Sequence, residues 1–572
     1  MFFYQKFNNL LSNALNLLVE EKVLSYEVLQ DKRYNIEFPT NPKFGDLATN
    51  VAMVTVKKSS FSLMKLAEKI REKLEKNKII KKVDIVKPGF LNIFFERKYI
   101  QSQLEIVLDG QIYQVKKKKR INIEYVSANP TGLMHIGHAR GAVLGDCIAN
   151  ILMEVGHTIT KEYYINDAGN QINVLINSIL FHIENLVNQT NKKIAKDMYP
   201  GKYLFYIAKD VKKFADDNNL PYTSEKIKLH AVYLILNDIK KDLGKLGVNH
   251  DQFISEKKIS TEDKVKKTIQ LLKNKNLAYE GFQEPPKALK NKKWEKKKQL
   301  LFKSKEINDD SDRALIKPNG ELTYFMSDII YHESKIKKNN DILINIWGID
   351  HSGYVSRIKN AISMMFGDEF EFKIKLTALV NLIKDNKSLK MSKRDGVYIT
   401  LREVLDEVGK DALRFMMISR SSEKIIDFDF DLVKLKTKEN PVFYVQYAHA
   451  RCCSINEIAL NELGSRYHEN KIRYELLTLN EEISLIKILC SFNKIIELAV
   501  ENYEPHRITN YLYELSKNFH AYWALGSMDE KNRILKEKEL DLSFARLALV
   551  DGVKKTIKKG LSILDISAPN SM

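Results

Sequence analysis

The sequence predicts an α/β protein whose main domain is a doubly wound parallel sheet. Residues 121–126, INIEYV, alternate along the chain and are bounded by turn residues, so they are predicted to form a strand. A loop follows, and the stretch 139–155 then carries apolar residues at helical spacing. Residues 158–166, TITKEYYIN, form the next strand. A strand, loop, helix and strand in this order are typical of a parallel sheet with helices on its faces.

A small α+β module is predicted before this sheet, over residues 1–112. It opens with an amphipathic helix. A turn that contains two prolines and Gly45-Asp46 then leads into a helical stretch ending near residue 53, and a Lys- and Glu-rich helix covers 62–77. Residues 83–95 form two short strands joined by a Pro-Gly turn.

After the second strand of the sheet, residues 172–312 are predicted to be a Lys-rich helical insertion between two halves of the sheet. The basic run at 287–298 is interpreted as a solvated helix face. The sheet resumes with strands at 341–348 and 371–380 that flank a helix, and every segment beyond about residue 435 has helical spacing. The chain therefore divides into the module 1–112, a sheet domain 113–380 that includes the insertion, a connecting segment 381–438 and an all-α domain 439–572.

The net charge of +19 favours a polyanionic partner such as nucleic acid. A compositional bias toward Lys, Ile and Asn would raise the charge equally without selecting any partner. No apolar run reaches membrane-spanning length, and the N-terminus lacks the pattern of a signal peptide. The four cysteines form no C-x-x-C pair, which argues against a structural metal site and fits a reduced, cytoplasmic location.

The tetrapeptide His135-Ile136-Gly137-His138 lies between the first predicted strand and the first helix of the sheet. In open α/β sheets ligands bind at the carboxyl ends of the strands, and the free N–H groups of a helix N-terminus favour phosphate there. Two imidazoles one turn apart can donate hydrogen bonds to phosphoryl oxygens, and the glycine lets a nucleotide approach the backbone closely. The alternative is a chance tetrapeptide in a loop, and the position before a helix favours the phosphate site.

Two other segments are candidate nucleotide contacts. Lys390-Met391-Ser392-Lys393 lies in a loop after the second half of the sheet, where its ammonium groups can neutralise charge that grows on a leaving pyrophosphate. Gly348 and Asp350 end the strand at 341–348, where a carboxylate can hold ribose hydroxyls. The alternatives are a Lys-rich stretch without a role and a strand-end turn with a solvated aspartate.

Together the H-I-G-H and K-M-S-K motifs resemble the pair that defines class I aminoacyl-tRNA synthetases, and the residues around them resemble the arginyl-tRNA synthetase family. The resemblance implies a Rossmann-like catalytic domain followed by an anticodon-binding helical domain. It also implies ATP-dependent attachment of L-arginine to tRNA(Arg) through an arginyl-adenylate, with release of AMP and pyrophosphate. The similar stretches occur in the expected order over nearly the whole chain: 44–53, 87–92, 124–146, 161–172, 321–332, 389–415, 440–455, 544–553 and 566–572.

Roles for individual residues follow from the same resemblance. His135 and His138 would bind ATP and its transition-state phosphate, and Lys390 and Lys393 would stabilise the pyrophosphate side. Mg²⁺ would accompany ATP as part of the substrate complex. The ATP site would be completed by the other members of these motifs: Gly137, Gly348, Asp350, Met391 and Ser392.

The arginine pocket implied by the resemblance consists of Glu124, Asn129, Tyr324 and Asp328. A guanidinium needs planar, charge-assisted acceptors, and two carboxylates supply them. Asn129 resembles the family's contact to the α-amino or carboxylate end of arginine. Without the resemblance, Glu124 would be an ordinary strand carboxylate, and Tyr324 and Asp328 would be one face of an amphipathic helix. The division of roles between Glu124 and Asp328 is left open.

Four residues of the helical domain, Gln446, Tyr447, His449 and Arg451, are spaced to share a helix. There, Tyr and Arg could stack on or pair with anticodon bases. The alternative is that Tyr447 packs inside the bundle and Arg451 is solvated. The resemblance also implies a second tRNA contact through the module 1–112 and a monomeric enzyme.

Three rival functions fit part of the pattern. A small-molecule nucleotidyltransferase could share the histidine motif but needs no large helical C-terminal domain. A non-catalytic RNA-binding relative would not need both histidines and both lysines intact. A class I synthetase for cysteine would show zinc-ligand cysteines, and one for glutamate would need a basic rather than an acidic pocket.

Overall fold

The structure is a computed structural model that describes residues 2–31, 33–39, 41–190, 192–283, 297–307, 309–367, 370–389, 399–463 and 472–572. Within these ranges, none of the helices combines the length and the apolar character that crossing a membrane requires. The four cysteines are free thiols, and Cys147, Cys452 and Cys490 are buried.

The N-terminal module packs helices against a small antiparallel sheet. Its elements are α1 (Phe3–Glu20), β1 (Ile36–Glu37), β2 (Leu47–Thr49), α2 (Val51–Thr55), α3 (Leu63–Leu74), β3 (Ile80–Val86), β4 (Phe90–Phe95) and α4 (Arg97–Leu108). The sheet order is β1–β2–β4–β3. The helical stretch expected to end near residue 53 is partly wrong, because 47–49 pair with β4 and only 51–55 are helical. That pairing joins residues about forty positions apart, which local spacing does not reveal.

The sheet domain and the connecting segment alternate strands and helices. Their elements in chain order are β5 (Arg120–Glu124), α5 (Ile136–Glu154), β6 (Thr158–Ile165), α6 (Asn170–Val187), α7 (Lys202–Asp217), α8 (Glu225–Lys245), β7 (Gln252–Ser255), α9 (Glu256–Ile259), α10 (Glu262–Asn274), β8 (Ala278–Phe282), β9 (Lys298–Phe302), β10 (Arg313–Ala314), α11 (Tyr324–Ile336), β11 (Ile342–Gly348), α12 (Ser352–Phe366), β12 (Glu371–Thr377), β13 (Val380–Lys384), β14 (Lys387–Leu389), α13 (Leu401–Val408), α14 (Lys410–Met417) and β15 (Ile426–Asp429). The main sheet has the order β12–β11–β5–β6–β7, and every neighbouring pair is parallel. The predicted parallel sheet is confirmed.

The strand β5 lies at the centre of this sheet, where the winding of the chain reverses. From β5 the chain moves outward through β6 and β7, and it later returns to the other side of β5 to form β11 and β12. The connections that leave the carboxyl ends of β5 and β11 therefore run in opposite directions. In open α/β sheets this divergence opens the crevice in which ligands bind.

The prediction that residues 172–312 are helical is wrong at two places. Residues 252–255 form β7, the edge strand of the main sheet that pairs with β6. Residues 278–314 contain a second sheet of order β10–β9–β8. A four-residue strand offers too short an alternation to stand out among helices, and its partner lies far away in sequence. Of the basic run 287–298, only the last two residues are described, and Lys298 begins β9.

The predicted all-α C-terminal domain is confirmed. Its described helices are α15 (Pro441–Leu463), α16 (Asn480–Asn502), α17 (His506–Met528) and α18 (Leu540–Ile563). The buried guanidinium of Arg414 in α14 fastens this bundle to the main sheet. It donates to the carbonyl of Leu564, just beyond α18 (2.9 Å), and to the carboxylate of Asp146 in α5 (2.7 Å).

Candidate active site

A cleft of about 1590 Å³ opens at the carboxyl ends of β5 and β11, where the winding reverses. A larger cavity of about 2400 Å³ lies between the N-terminal module and the helical bundle, and none of the candidate residues lines it. The structure thus brings widely separated candidates into the first cleft. Those that line it are Glu124, Asn129, His135, Gly137, His138, Tyr324, Asp328, Gly348 and Asp350.

The two histidines form the N-terminal cap of α5. His135 Nδ1 accepts a hydrogen bond from the N–H of Gly137 (3.1 Å), and His138 Nδ1 accepts one from the N–H of His135 (3.3 Å). A ring nitrogen that accepts from an N–H carries no proton, so a neutral imidazole in this arrangement is protonated on Nε2. The ring centroids are 3.9 Å apart. The cap therefore supplies two adjacent Nε2–H donors at the positive end of a helix dipole.

Gly137 leaves room for the imidazole of His135. A Cβ atom at this position would lie 2.8 Å from Cε1 and 2.9 Å from Nδ1 of that ring. The expected reason for this glycine was the close approach of a nucleotide to the backbone. The structure adds a second reason, because any side chain at 137 would displace the histidine that caps the helix.

The loop that leaves β5 has an unusual backbone. Val126 has φ +70° and Ser127 has φ +39°, and this left-handed region is unfavourable for a β-branched residue such as valine. The Ser127 hydroxyl donates to Glu124 Oε1 (3.0 Å) and accepts from the N–H of Tyr164 (3.1 Å). Asn129 follows with an exposed side chain on the wall of the cleft. Backbone strain next to a substrate-sized cleft is typical of functional sites.

The carboxylate of Asp328 lies on the wall of the cleft, on the first turns of α11. The Tyr354 hydroxyl donates to its Oδ2 at 2.7 Å. Desolvation, together with the charges of Glu124 and Glu256, raises the pKa of Asp328 to about 7 even though the Tyr354 hydrogen bond lowers it. Tyr324 begins the same helix, is 62% exposed, and its hydroxyl accepts from Gln171 Nε2 (3.2 Å). The negative end of the cleft is thus deep, and Tyr324 forms part of its outer rim.

Glu256 is a residue of this region that the sequence analysis missed. It follows β7 directly and is buried, and its Oε1 accepts from the hydroxyl of Ser327, the neighbour of Asp328 (2.8 Å). Burial, followed by the Glu256 and Asp328 charges, raises the pKa of the Tyr164 hydroxyl, which also lines the cleft. In the sequence, Glu256 is marked only by its position directly after a strand. That strand, β7, lies in the segment that was predicted to be helical, so the position of Glu256 was not recognised.

Gly348 and Asp350 lie where β11 ends. A Cβ atom at position 348 would be 2.3 Å from Asp350 Oδ1, so the glycine lets this carboxylate fold back over the end of the strand. The Asp350 side chain is 78% exposed, and its Oδ2 lies 3.5 Å from His351 Nε2. An exposed carboxylate at a strand end is suited to hold hydroxyl groups.

The candidate residues Lys390, Met391, Ser392 and Lys393 lie outside the described residues. The segments on either side of them are described. The hairpin of β13 and β14 ends at Leu389, and Thr400 forms an antiparallel bridge with His135. The N–H of Leu401 also donates to the carbonyl of Met134 (2.8 Å). The chain that returns from this motif is therefore attached to the histidine loop.

The four candidate residues of the helical domain share α15 as expected but differ in surroundings. Gln446 donates to Asp411 Oδ2 (2.9 Å) and to the carbonyl of Ser567 (3.0 Å), and His449 Nδ1 donates to the carbonyl of Pro569 (2.8 Å). Both therefore hold the C-terminal segment. Tyr447 and Arg451 are half-buried, and the guanidinium lies 4.6 Å above the Tyr447 ring.

Models of three protein families match successive parts of the chain. The arginyl tRNA synthetase N-terminal domain matches residues 5–95, and the catalytic domain of class I tRNA synthetases (R) matches residues 102–437. The DALR anticodon-binding domain matches residues 445–572. The catalytic model alone covers more than half of the chain.

Known proteins agree with these matches. An arginine–tRNA ligase of Wolbachia pipientis subsp. Culex pipiens is 39% identical over 100% of this chain and 99% of the relative. A ligase of the same name from Pelagibacter ubique is 40% identical over 94% of each chain. The Thermus thermophilus arginyl-tRNA synthetase has the same fold, with a TM-score of 0.75 over 100% of both chains at 19% identity. The chain belongs to the family of class I arginyl-tRNA synthetases.

Proposed function

We propose that the cleft at the ends of β5 and β11 is where this enzyme activates L-arginine and transfers it to tRNA(Arg). The reaction is the ATP-dependent attachment of arginine to tRNA, with AMP and pyrophosphate as products. The arginine carboxylate attacks the α-phosphate of ATP, and the arginyl group then moves to the terminal ribose of the tRNA. The observation that carries the proposal is that paired imidazole donors and deep carboxylates line one cleft at the reversal of the sheet.

ATP would lie at the histidine end of the cleft. His135 and His138 would donate from Nε2 to the phosphate oxygens, where charge builds up as the bond to pyrophosphate breaks. Asp350, beside Gly348, would hold the ribose hydroxyls, and Mg²⁺ would accompany ATP in the substrate complex and offset part of the phosphate charge. Lys390 and Lys393, with Met391 and Ser392 between them, would stabilise the pyrophosphate, and the attachment of residues 400–401 to the histidine loop supports this.

Arginine would lie at the carboxylate end. Asp328 is the carboxylate best suited to bind the guanidinium. Among the described residues its carboxylate accepts from the Tyr354 hydroxyl, and Lys335 acts on it only through its charge and not through a hydrogen bond. Tyr324 would close the pocket from outside. Glu256 would add negative potential from behind Ser327. Asn129 would bind the α-amino or carboxylate end of arginine. Glu124 would form part of the arginine pocket, which it lines, and would also hold the strained loop that carries Asn129.

The anticodon would bind the bundle at an aromatic face of α15 and α17. Arg451 lies above the rings of Tyr447 (4.6 Å) and Trp523 (5.3 Å), and Tyr447 stacks on Phe443 (5.8 Å). Aromatic rings and guanidinium planes are the groups on which unpaired RNA bases stack. Gln446 and His449 would support this face through the C-terminal segment. The module 1–112 would supply a second tRNA contact.

Replacing Arg451 by alanine is expected to raise the KM for tRNA about tenfold, because one stacking partner is worth roughly 1–3 kcal/mol. The KM values for arginine and ATP in the activation step should not change, since Arg451 lies in the bundle and not in the cleft. Aminoacylation measured over a range of tRNA concentrations tests this. Arg473→Ala, an exposed arginine of the same domain that pairs with Glu475, is the control and should leave the KM unchanged. An unaltered KM in Arg451→Ala would contradict the assignment of this face.

The enzyme is further proposed to act as a monomer in the reducing cytoplasm. The four cysteines are free thiols, and most of them are buried. This supports the reducing location, because disulfides are rare in proteins of reducing compartments. Sedimentation of the pure protein with and without tRNA would test the monomer, and a concentration-dependent mass would contradict it.

The function is tested by ATP–pyrophosphate exchange with each amino acid, run with and without tRNA. Exchange that depends on arginine is the expected result. Exchange with another amino acid would keep the synthetase fold and overturn the pocket assignment. No exchange under any condition, combined with tRNA binding, would favour a non-catalytic RNA-binding protein.

A further inference from the structure

Lys335 in the last turn of α11 is a lysine whose side chain is fully buried, and no other described lysine is buried in this protein. Its Nζ donates to Glu124 Oε2 (2.7 Å) and to Asn345 Oδ1 (3.2 Å), and it lies 3.9 Å from Glu162 Oε1. Removing an ammonium group from water is costly unless its partners compensate fully. A methionine of similar length would pack in the same space without that cost. We therefore expect the ammonium group of Lys335 to act through the residues that it contacts.

Glu124 is the partner that reaches the cleft. Lys335 occupies its Oε2, and the Ser127 hydroxyl occupies its Oε1 at 3.0 Å. The Ser127 oxygen in turn accepts from the N–H of Tyr164 in β6 (3.1 Å). Both oxygens of the carboxylate accept hydrogen bonds, and the one from the buried ammonium is charge-assisted. Lys335, Glu124, Ser127 and the β6 backbone thus form one continuous chain of hydrogen bonds.

This chain holds the loop whose backbone is strained. Ser127 and its neighbour Val126 both have left-handed φ angles, +39° and +70°. Such residues keep their conformation only where the surrounding structure fixes them. The hydrogen bond from Ser127 to Glu124 is one side-chain contact that does so, and the hydroxyl of Tyr163 in β6 supplies a second by donating to the carbonyl of Ala128 (2.7 Å). Asn129, two residues further on, lines the cleft.

We propose that Lys335 is a positioning residue for arginine, which acts through Glu124 and Ser127 to hold residues 126–129 so that Asn129 faces the amino-acid end of the cleft. The inference deepens the proposed function and rests on it. Lys335 does not touch the substrate. Its loss leaves Glu124 buried with an unpaired oxygen, frees the loop and weakens arginine binding, while the histidine cap that binds ATP stays attached to α5.

The test is ATP–pyrophosphate exchange in the presence of tRNA, with arginine and ATP varied separately for Lys335→Met and Ser127→Ala. The expected result is a KM for arginine that rises about 10- to 100-fold in Lys335→Met, the loss of one hydrogen bond to a charged group, with the KM for ATP within about twofold. Ser127→Ala buries no new charge and should show the same selective effect. Lys338→Met is the matched control, since Lys338 is half-exposed, lies 3.6 Å from Glu162 Oε2 and makes no contact with Glu124.

The double variant Lys335→Met/Ser127→Ala shows whether the two residues act on arginine binding together or independently. If Lys335 and Ser127 both act through Glu124, the KM for arginine in the double variant is close to that of the worse single variant. Effects that multiply, or equal rises of both KM values, would overturn the proposal. So would a wild-type KM for arginine in Ser127→Ala, which decides the matter even if Lys335→Met does not fold. Absence of arginine-dependent exchange in the unchanged protein would instead refute the proposed function, before any variant is made.

Discussion

Replacing Asp328 by alanine is expected to lower kcat/KM for arginine by about a thousandfold and to leave the KM for ATP almost unchanged. In the proposed pocket its carboxylate would accept from the guanidinium, and breaking a buried charge pair costs on the order of 3–5 kcal/mol. ATP would bind at the other end of the cleft, beside His135 and His138, so the loss should not extend to it. Lysine would be rejected by the same geometry, because a point charge without a planar fork leaves acceptors unpaired.

Exchange kinetics with arginine and ATP varied separately provide the measurement. Glu321→Ala is a suitable control, because Glu321 is exposed just before α11 and pairs with Lys317 on the surface. Its kinetic constants should equal those of the unchanged protein. Equal losses of arginine and ATP affinity in Asp328→Ala would show that the substitution damages the whole cleft, and the pocket assignment would then fail.

The pH dependence of the same reaction provides a second readout of Asp328. Desolvation and the neighbouring carboxylates raise its pKa to about 7 in the empty cleft, so the carboxyl is protonated below that pH. On the proposed assignment the guanidinium would bind the ionised form, and arginine would therefore have to displace a proton at low pH. The KM for arginine is expected to rise toward tenfold per pH unit below about pH 7 and to be flat above it. Asp328→Asn should remove this slope, and a persistent slope would assign the titration to another group.

Replacing His138 by alanine is expected to lower kcat about 100- to 1000-fold, with the KM for arginine unchanged. This is the usual effect of removing one preorganised donor from a site where charge develops in the transition state. The tautomer set by the Nδ1 hydrogen bonds places the donated proton on Nε2 in both histidines, so either loss should act mainly on kcat. Single-turnover formation of the arginyl-adenylate measures the step directly.

The control must separate this role from the capping of α5. His135→Asn retains a side-chain acceptor that can cap the helix but removes the Nε2 donor. It is expected to unfold at nearly the temperature of the unchanged protein and still to lose kcat. His135→Ala loses both, at an added cost of about 1 kcal/mol in stability. If His135→Asn were fully active, the histidine would be a cap and not a phosphate ligand.

Much of the sheet domain could be predicted because its signals are local. The alternation of 121–126 and the helical stripe that follows it correspond to β5 and α5, and the histidine motif lies at the start of α5 as expected. The helical spacing near the end of the chain corresponds to α15–α18. These patterns are produced by neighbours three or four positions apart, so they are visible in a linear sequence.

The site was predicted less completely. Asp328 and Asn129 line the cleft, but Glu124 is paired with Lys335, which no motif or spacing in the sequence singles out. Glu256 was missed together with β7. Gly137 is predicted to contact a nucleotide, and the structure shows that it also makes room for His135, which the sequence analysis did not anticipate. In each case the contact that defines the role joins residues from separate elements of the chain.

The sequence by itself determined the fold class, the order of the main elements and the chemistry of the motifs, because periodic burial and helix starts are properties of short stretches. Only the tertiary structure decided that β7 joins the main sheet and that Lys335 neutralises Glu124. It also decided that Asp328 lies where desolvation raises its pKa. Strand pairing, charge pairing and desolvation depend on which distant segments meet, and that is settled only when the whole chain packs.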